Sequence, residues 1–277
     1  MADSQASLSA QNVDRLAEEQ RRAMPGASDV VIQLGVAAEV AMILLGPHVF
    51  HAIFGTSERH FASFDGRGGT GDFVYMQRVI TLGKYLLECQ SVQNFSAMRA
   101  DMASRSLAGV CHEARCAALA LRAGFSVSFV ERTGVRGHDF DFLIDAYVAL
   151  ETKAKDEATA YSMGSLASTV NKARAQLPAD GPGIVMMAVP DRWPEHPNFR
   201  EDCETLAQEL FRRSERVNAL FFMWDQWVPV QPEGMACLRL FRRFEHPNPR
   251  TTGCDAVVAG LITKIEVERR LASGGHV

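Results

Sequence analysis

After Gly124 the hydrophobic period of this chain changes, and that change limits what it can fold into. Upstream, apolar residues recur at spacings of three and four, as in Val31, Leu34, Ala38, Ala41 and Leu45, the pattern of helices with one buried face. Downstream, "FSVSFVER" (125–132) alternates and is rich in β-branched and aromatic residues, which predicts a strand. After the turn "TGVRG", "HDFDFLID" (138–145) reads as a second strand and "YVALETKAK" (147–155) as a third, with a tight connection near Asp145–Ala146. A helix is expected from about Glu157 to Leu177; "ADGPG" ends it, and "IVMMAVP" is a fully apolar strand. A helix over "EDCETLAQELFRRSERV", strands over "NALFFMWDQWVPV" and "ACLRLFRRFEH", and a last helix over "AVVAGLITKIEVERRLA" complete the reading. Three strands in sequence imply an antiparallel meander, and the helix after them allows a crossover.

The 277 residues suffice for one large domain or a domain with a sizeable appendage. A net charge of −4 argues against coating nucleic acid by bulk charge but permits a local basic groove. None of the cysteines (Cys89, Cys111, Cys116, Cys203, Cys237, Cys254) forms a C-x-x-C pair, which fits reduced thiols and a cytoplasmic setting. The polar, acidic N-terminus lacks an apolar signal region. The most apolar stretch, 29–50, carries Gln33 and Glu39, so a buried helix is expected there and no membrane span. Three segments follow: 1–27 flexible or solvated, 28–100 helical, and 101–277 the mixed α/β domain.

The third strand ends in a way that core packing does not require. Side chains alternate along a strand, so Glu151 and Lys153 share one face. On the second strand Asp139 and Asp141 also share a face. Pairing of the two strands brings an aspartate and a glutamate together across the hairpin with a lysine beside them. Carboxylates so placed repel unless a cation lies between them. A hard ion such as Mg²⁺ or Mn²⁺ suits two carboxylates plus water and a phosphate oxygen. A lysine next to that ion orients a water or stabilises charge on phosphate, which is chemistry for cutting a phosphodiester.

At these residues the chain resembles the PD-(D/E)XK nuclease superfamily, the fold of many restriction endonucleases and DNA-repair nucleases. The resemblance covers about Ser106 to Pro190 and rests on Glu113 in the helix "SLAGVCHEARCAALALRAG", Asp139 in "GHDFD", and Glu151-Thr152-Lys153 on the third strand. The following helix adds Lys172 and Gln176, where members often carry a basic residue or glutamine. His138 stands where the motif has proline, and Asp141 is an alternative to Asp139. The resemblance implies a restriction-endonuclease-like mixed sheet flanked by helices, with an N-terminal helical region as an accessory. It implies metal held by Asp139 and Glu151 with Glu113 assisting, Lys153 as the catalytic lysine, and Lys172 and Gln176 near substrate. The implied activity is Mg²⁺- or Mn²⁺-dependent hydrolysis of DNA, or of RNA, by an enzyme open to homodimer formation. The alternative is a module that keeps the fold and binds nucleic acid or protein without catalysis.

Other features carry less. "GRGGTG" lacks the G-K-[ST] of a phosphate-binding loop, and His48 with His51 lack the glutamate and third ligand of a zincin. Cys111 and Cys116 have no zinc spacing. "FRRSER" (211–216) and "RLFRRF" (239–244) are basic groups that either flank a nucleic-acid groove or form solvated faces.

Overall fold

Capping and apolar periodicity set the helices of the first of two compact units, Met1–Ala118 and Leu119–Val277. The computed structural model describes residues 7–54, 70–230, 234–249 and 251–272; the glycine-rich stretch "FDGRGG" at 64–69 lies outside them. Helix α1 (Ala10–Ala23) starts at Ser9, whose hydroxyl accepts from the Asn12 N–H while the Asn12 side chain accepts from the Ser9 N–H. Helix α2 (Asp29–Leu45) buries Ile32, Leu34, Ala37, Ala41 and Leu44. Leu34, Ala41 and Leu45 of the expected stripe are buried, while Val31 and Ala38 are only half-buried and Ile32 and Ala37 take the buried places beside them. So apolar a helix fixes its own existence by spacing but leaves its facing to the neighbours. Gly46, at φ 79°, ends α2, and Pro47 opens α3 (Pro47–Phe54). Helix α4 (Thr70–Cys89) packs against α2 and buries Val79, Leu82 and Leu86. α5 (Phe95–Met102) follows, then α6 (Leu107–Arg122), within which the two units divide.

Gly83 is where α4 comes closest to α2. A Cβ added there would stand 2.8 Å from the Cα and the carbonyl oxygen of Ala37, both backbone atoms. Gly83→Ala gains about 1 kcal/mol of helix propensity, but separating the backbones costs about 1–3 kcal/mol. The variant is expected to unfold at a lower urea midpoint. A midpoint at or above that of the parent would show that the two helices part freely.

The second unit is built on a six-stranded sheet in the order β1-β2-β3-β4-β5-β6. Its strands are β1 (Val127–Phe129), β2 (Phe142–Ile144), β3 (Val148–Ala154), β4 (Gly183–Ala188), β5 (Val217–Val230) and β6 (Gly234–Glu245). The first three form the antiparallel meander; β3, β4 and β5 are parallel; β6 returns antiparallel. The parallel steps need crossovers, supplied by α7 (Met163–Gln176) and α8 (Phe199–Arg213). Both helices bury their apolar stripes on one sheet face: Leu166, Val170 and Ala173 of α7 and Cys203, Leu206 and Leu210 of α8 meet Ala149, Val185, Met187, Leu220 and Phe222. A last helix, α9 (Asp255–Ala272), packs along β6, where its Glu268 pairs with Arg239. The α/β class and the mixed sheet flanked by helices are as the sequence reading has them. Among the described residues no helix is long and apolar enough to cross a membrane.

Several elements are shorter than their sequence patterns: β1 keeps only Val127–Phe129 of 125–132, α8 ends at Arg213 and not Val217, and β2 and α7 start late. β2 starts at Phe142, not His138, because Asp139 is drawn into a turn and the Asp141 carboxylate, not a strand carbonyl, takes the buried Thr152 N–H at 2.7 Å. α7 starts at Met163, not Glu157. Ser162 caps it by accepting from the Ser165 N–H, and Tyr161 is held by an O–H bond to Asp202 and an edge contact with Trp193.

Candidate active site on the third strand

Parallel register sets Glu151 beside Val185 and Lys153 beside Met187 on the sheet face covered by α7. The side chain of Glu151 is fully buried there, and its carboxylate accepts from the Lys153 ammonium, which is 21% exposed. Lys153 Nζ also donates to Gln176 Oε1 of α7 at 2.6 Å. Gln176 Nε2 in turn donates to the backbone carbonyl of Asp139 at 2.9 Å. Four residues singled out from the sequence, on three separate segments, are thus joined in one chain of contacts: Glu151, Lys153, Gln176 and Asp139.

Asp139 enters that chain through its carbonyl. Its carboxylate faces the preceding turn, where Oδ1 accepts from the Thr133 N–H at 2.6 Å, the Thr133 hydroxyl at 3.0 Å and the Gly134 N–H at 3.2 Å. These bonds, the Thr133 N–H first, hold its carboxyl below the usual carboxylate range. The buried aspartate of the hairpin is Asp141, which directly precedes the Phe142–Leu150 pair and whose carboxylate turns to Thr152 of β3. Its side chain is 1% exposed and accepts from Arg132 at 3.2 Å and from the Thr152 N–H and hydroxyl at 2.7 and 2.5 Å.

Glu113 lies on α6 in the first unit, 3% exposed, where its carboxylate pairs with Arg105. Lys172 is exposed on α7, one turn before Gln176. Close to it is Lys155, whose ammonium pKa is lowered by burial first and by the Lys172 charge second. Lys155 and Arg132 are not among the residues that the sequence singles out. The period-two run Glu151, Lys153, Lys155 is the available signal for the first; nothing local marks the second.

The donor set on the β2–β3 hairpin is made of hard oxygens, from Asp141 and Glu151. Mg²⁺ is commonly held by one or two carboxylates and completed by water and phosphate oxygens. Both carboxylates are engaged by protein donors here, Asp141 by Arg132 and Thr152 and Glu151 by Lys153, and no group of three His, Cys, Asp or Glu side chains suited to a metal occurs among the described residues. Thiolate chemistry has less support: burial pushes the Cys203 and Cys254 thiols up to about 12.

Comparison with protein-family models, with curated proteins and with solved structures returns no match for this chain.

Proposed function

We propose that the protein is a metal-dependent nuclease of the PD-(D/E)XK type that hydrolyses phosphodiester bonds, of DNA foremost. The observation that carries this reading is the Glu151–Lys153–Gln176 contact, which sets a buried carboxylate and an amine at one strand end under a crossover helix. Asp141 and Glu151 would hold Mg²⁺ or Mn²⁺, with Asp141 replacing Asp139 as the preferred aspartate because the Asp139 carboxylate serves the 133–134 turn. The bound ion supplies Lewis acidity at the phosphoryl oxygen and a more acidic water. Lys153 orients the attacking water and offsets charge that builds on phosphate. Gln176 positions Lys153, and through the Asp139 carbonyl it ties α7 to the start of the hairpin.

A second reading is an inactive module that keeps this scaffold. It is favoured by the internal use of Asp141, both of whose oxygens accept bonds from Arg132 and Thr152. The two readings separate in an assay of the purified chain on plasmid, linear duplex, single-stranded DNA and RNA, with Mg²⁺, Mn²⁺ or chelator. Metal-dependent cutting that disappears in Glu151→Gln is the expected result. If no nucleic acid is cut with either ion, the nuclease reading is lost and the inactive module stands.

A further inference from the structure

Five arginines converge on one cleft of the second unit. Arg136 comes from the β1–β2 turn, Arg174 from the last turn of α7, Arg212 and Arg213 from the end of α8, and Arg216 from the link into β5. The cleft measures about 400 Å³. Glu215 also lines it, so these side chains carry a formal charge of +4 in a chain whose net charge is −4.

Helix ends account for only part of this. Arg174, Arg212 and Arg213 sit in last turns, where cations offset a negative end of roughly half a charge per helix. Two such ends leave about +3 unbalanced. Several other arginines of the unit are matched, Arg122 and Arg239 with Glu268, Arg132 with Asp141, Arg242 with Glu204, and Arg243 with Glu245, whereas Arg192 donates to the Thr159 carbonyl. Among the described residues none of the five cleft guanidiniums pairs with a carboxylate; Arg216 donates to the Leu177 carbonyl at 3.1 Å. The exposed and half-buried guanidiniums together make a local positive field that attracts anions.

The cleft adjoins the candidate active site along the chain. Arg174 lies two positions before Gln176 on α7, about 3 Å along the helix axis but on another side of the helix. Arg136 precedes Asp139 by three residues, within roughly 10 Å of extended chain. Arginine suits phosphate because its fork donates in pairs.

We infer that this cleft is a backbone-phosphate subsite, which grips a nucleic-acid strand a few nucleotides from the bond to be cut, without reading sequence. The inference rests on the nuclease reading, and its test keeps the two apart. Binding is measured by fluorescence anisotropy of a labelled single-stranded oligonucleotide in chelator, across a salt series. Each phosphate contact to a single strand contributes about 0.7 to the slope of log affinity against log salt. Arg212→Gln/Arg213→Gln is expected to lower that slope by about 1.4. Arg136→Gln, on an exposed turn, should lower it by about 0.7 and covers the case in which the double variant folds poorly. Arg243→Gln, outside the cleft, should leave it unchanged. An unchanged slope in both cleft variants overturns the subsite even if the protein cuts DNA. A lowered slope in a protein that never cuts upholds the subsite and rejects the nuclease. Inorganic phosphate added at matched ionic strength tests the small-anion alternative. If it binds the cleft while the oligonucleotide does not, the proposal is overturned.

Discussion

Lys153→Ala is expected to reduce phosphodiester cleavage by about 10²–10³, the usual loss when one preorganised electrostatic group is removed from a reacting centre. It should also cost stability. Glu151 is fully buried, and Lys153 is the cation on its carboxylate. Removing one partner of a buried pair costs about 3–5 kcal/mol, with the lower end expected because Lys153 is 21% exposed. These two consequences have different remedies. In Glu151→Gln/Lys153→Met the buried charge is gone together with its partner, so the urea midpoint should recover most of the loss while cleavage stays absent. Full cleavage by Lys153→Ala would remove the lysine from the mechanism. A double variant no more stable than Lys153→Ala would show that the pair contributes little to the fold.

The second large effect separates the two aspartates of the hairpin. Asp141→Ala takes the acceptor from the Thr152 N–H and hydroxyl, in a residue that is 0% exposed. Each stranded buried donor costs about 1–3 kcal/mol, so a loss of about 3 kcal/mol is expected, together with loss of Mn²⁺ binding by calorimetry. Asp139→Ala should loosen the Thr133–Gly134 turn, leave Mn²⁺ affinity near that of the parent, and shift stability far less. If Asp139→Ala abolishes Mn²⁺ binding and Asp141→Ala does not, Asp139 is the ligand, and the hydrogen bonds of its carboxylate must rearrange when metal binds.

Why is one half of this site legible in the sequence and the other half not? Period-two alternation is a local rule, so the order of residues alone places Glu151 and Lys153 on one face, and the three-and-four spacing of α7 places Gln176 beside the core stripe. The choice between Asp139 and Asp141 is not local. Alternation puts both on the same side, and donors in the 133–134 turn decide which carboxylate leaves the hairpin. The arginine cleft is hidden for a similar reason. "FRRSER" is visible as a basic group, but Arg136 and Arg174 belong to segments of ordinary charge, and only the parallel crossovers bring the three segments together. Element boundaries shift where side chains replace backbone partners, at Asp141 for β2 and at Ser162 for α7.

The order of the sheet also bears on how copies of this chain meet. Its edges are β1, with three residues, and β6, with twelve. A long edge strand is a template for intermolecular pairing and aggregation. On β6 the arginines Arg239, Arg242 and Arg243 are held in ion pairs with Glu268, Glu204 and Glu245. A second molecule adding a strand there would have to desolvate these charges, and at the other edge three residues give it little to hold. Paired charge on β6 and the shortness of β1 thus make both edges poor templates for growth of the sheet.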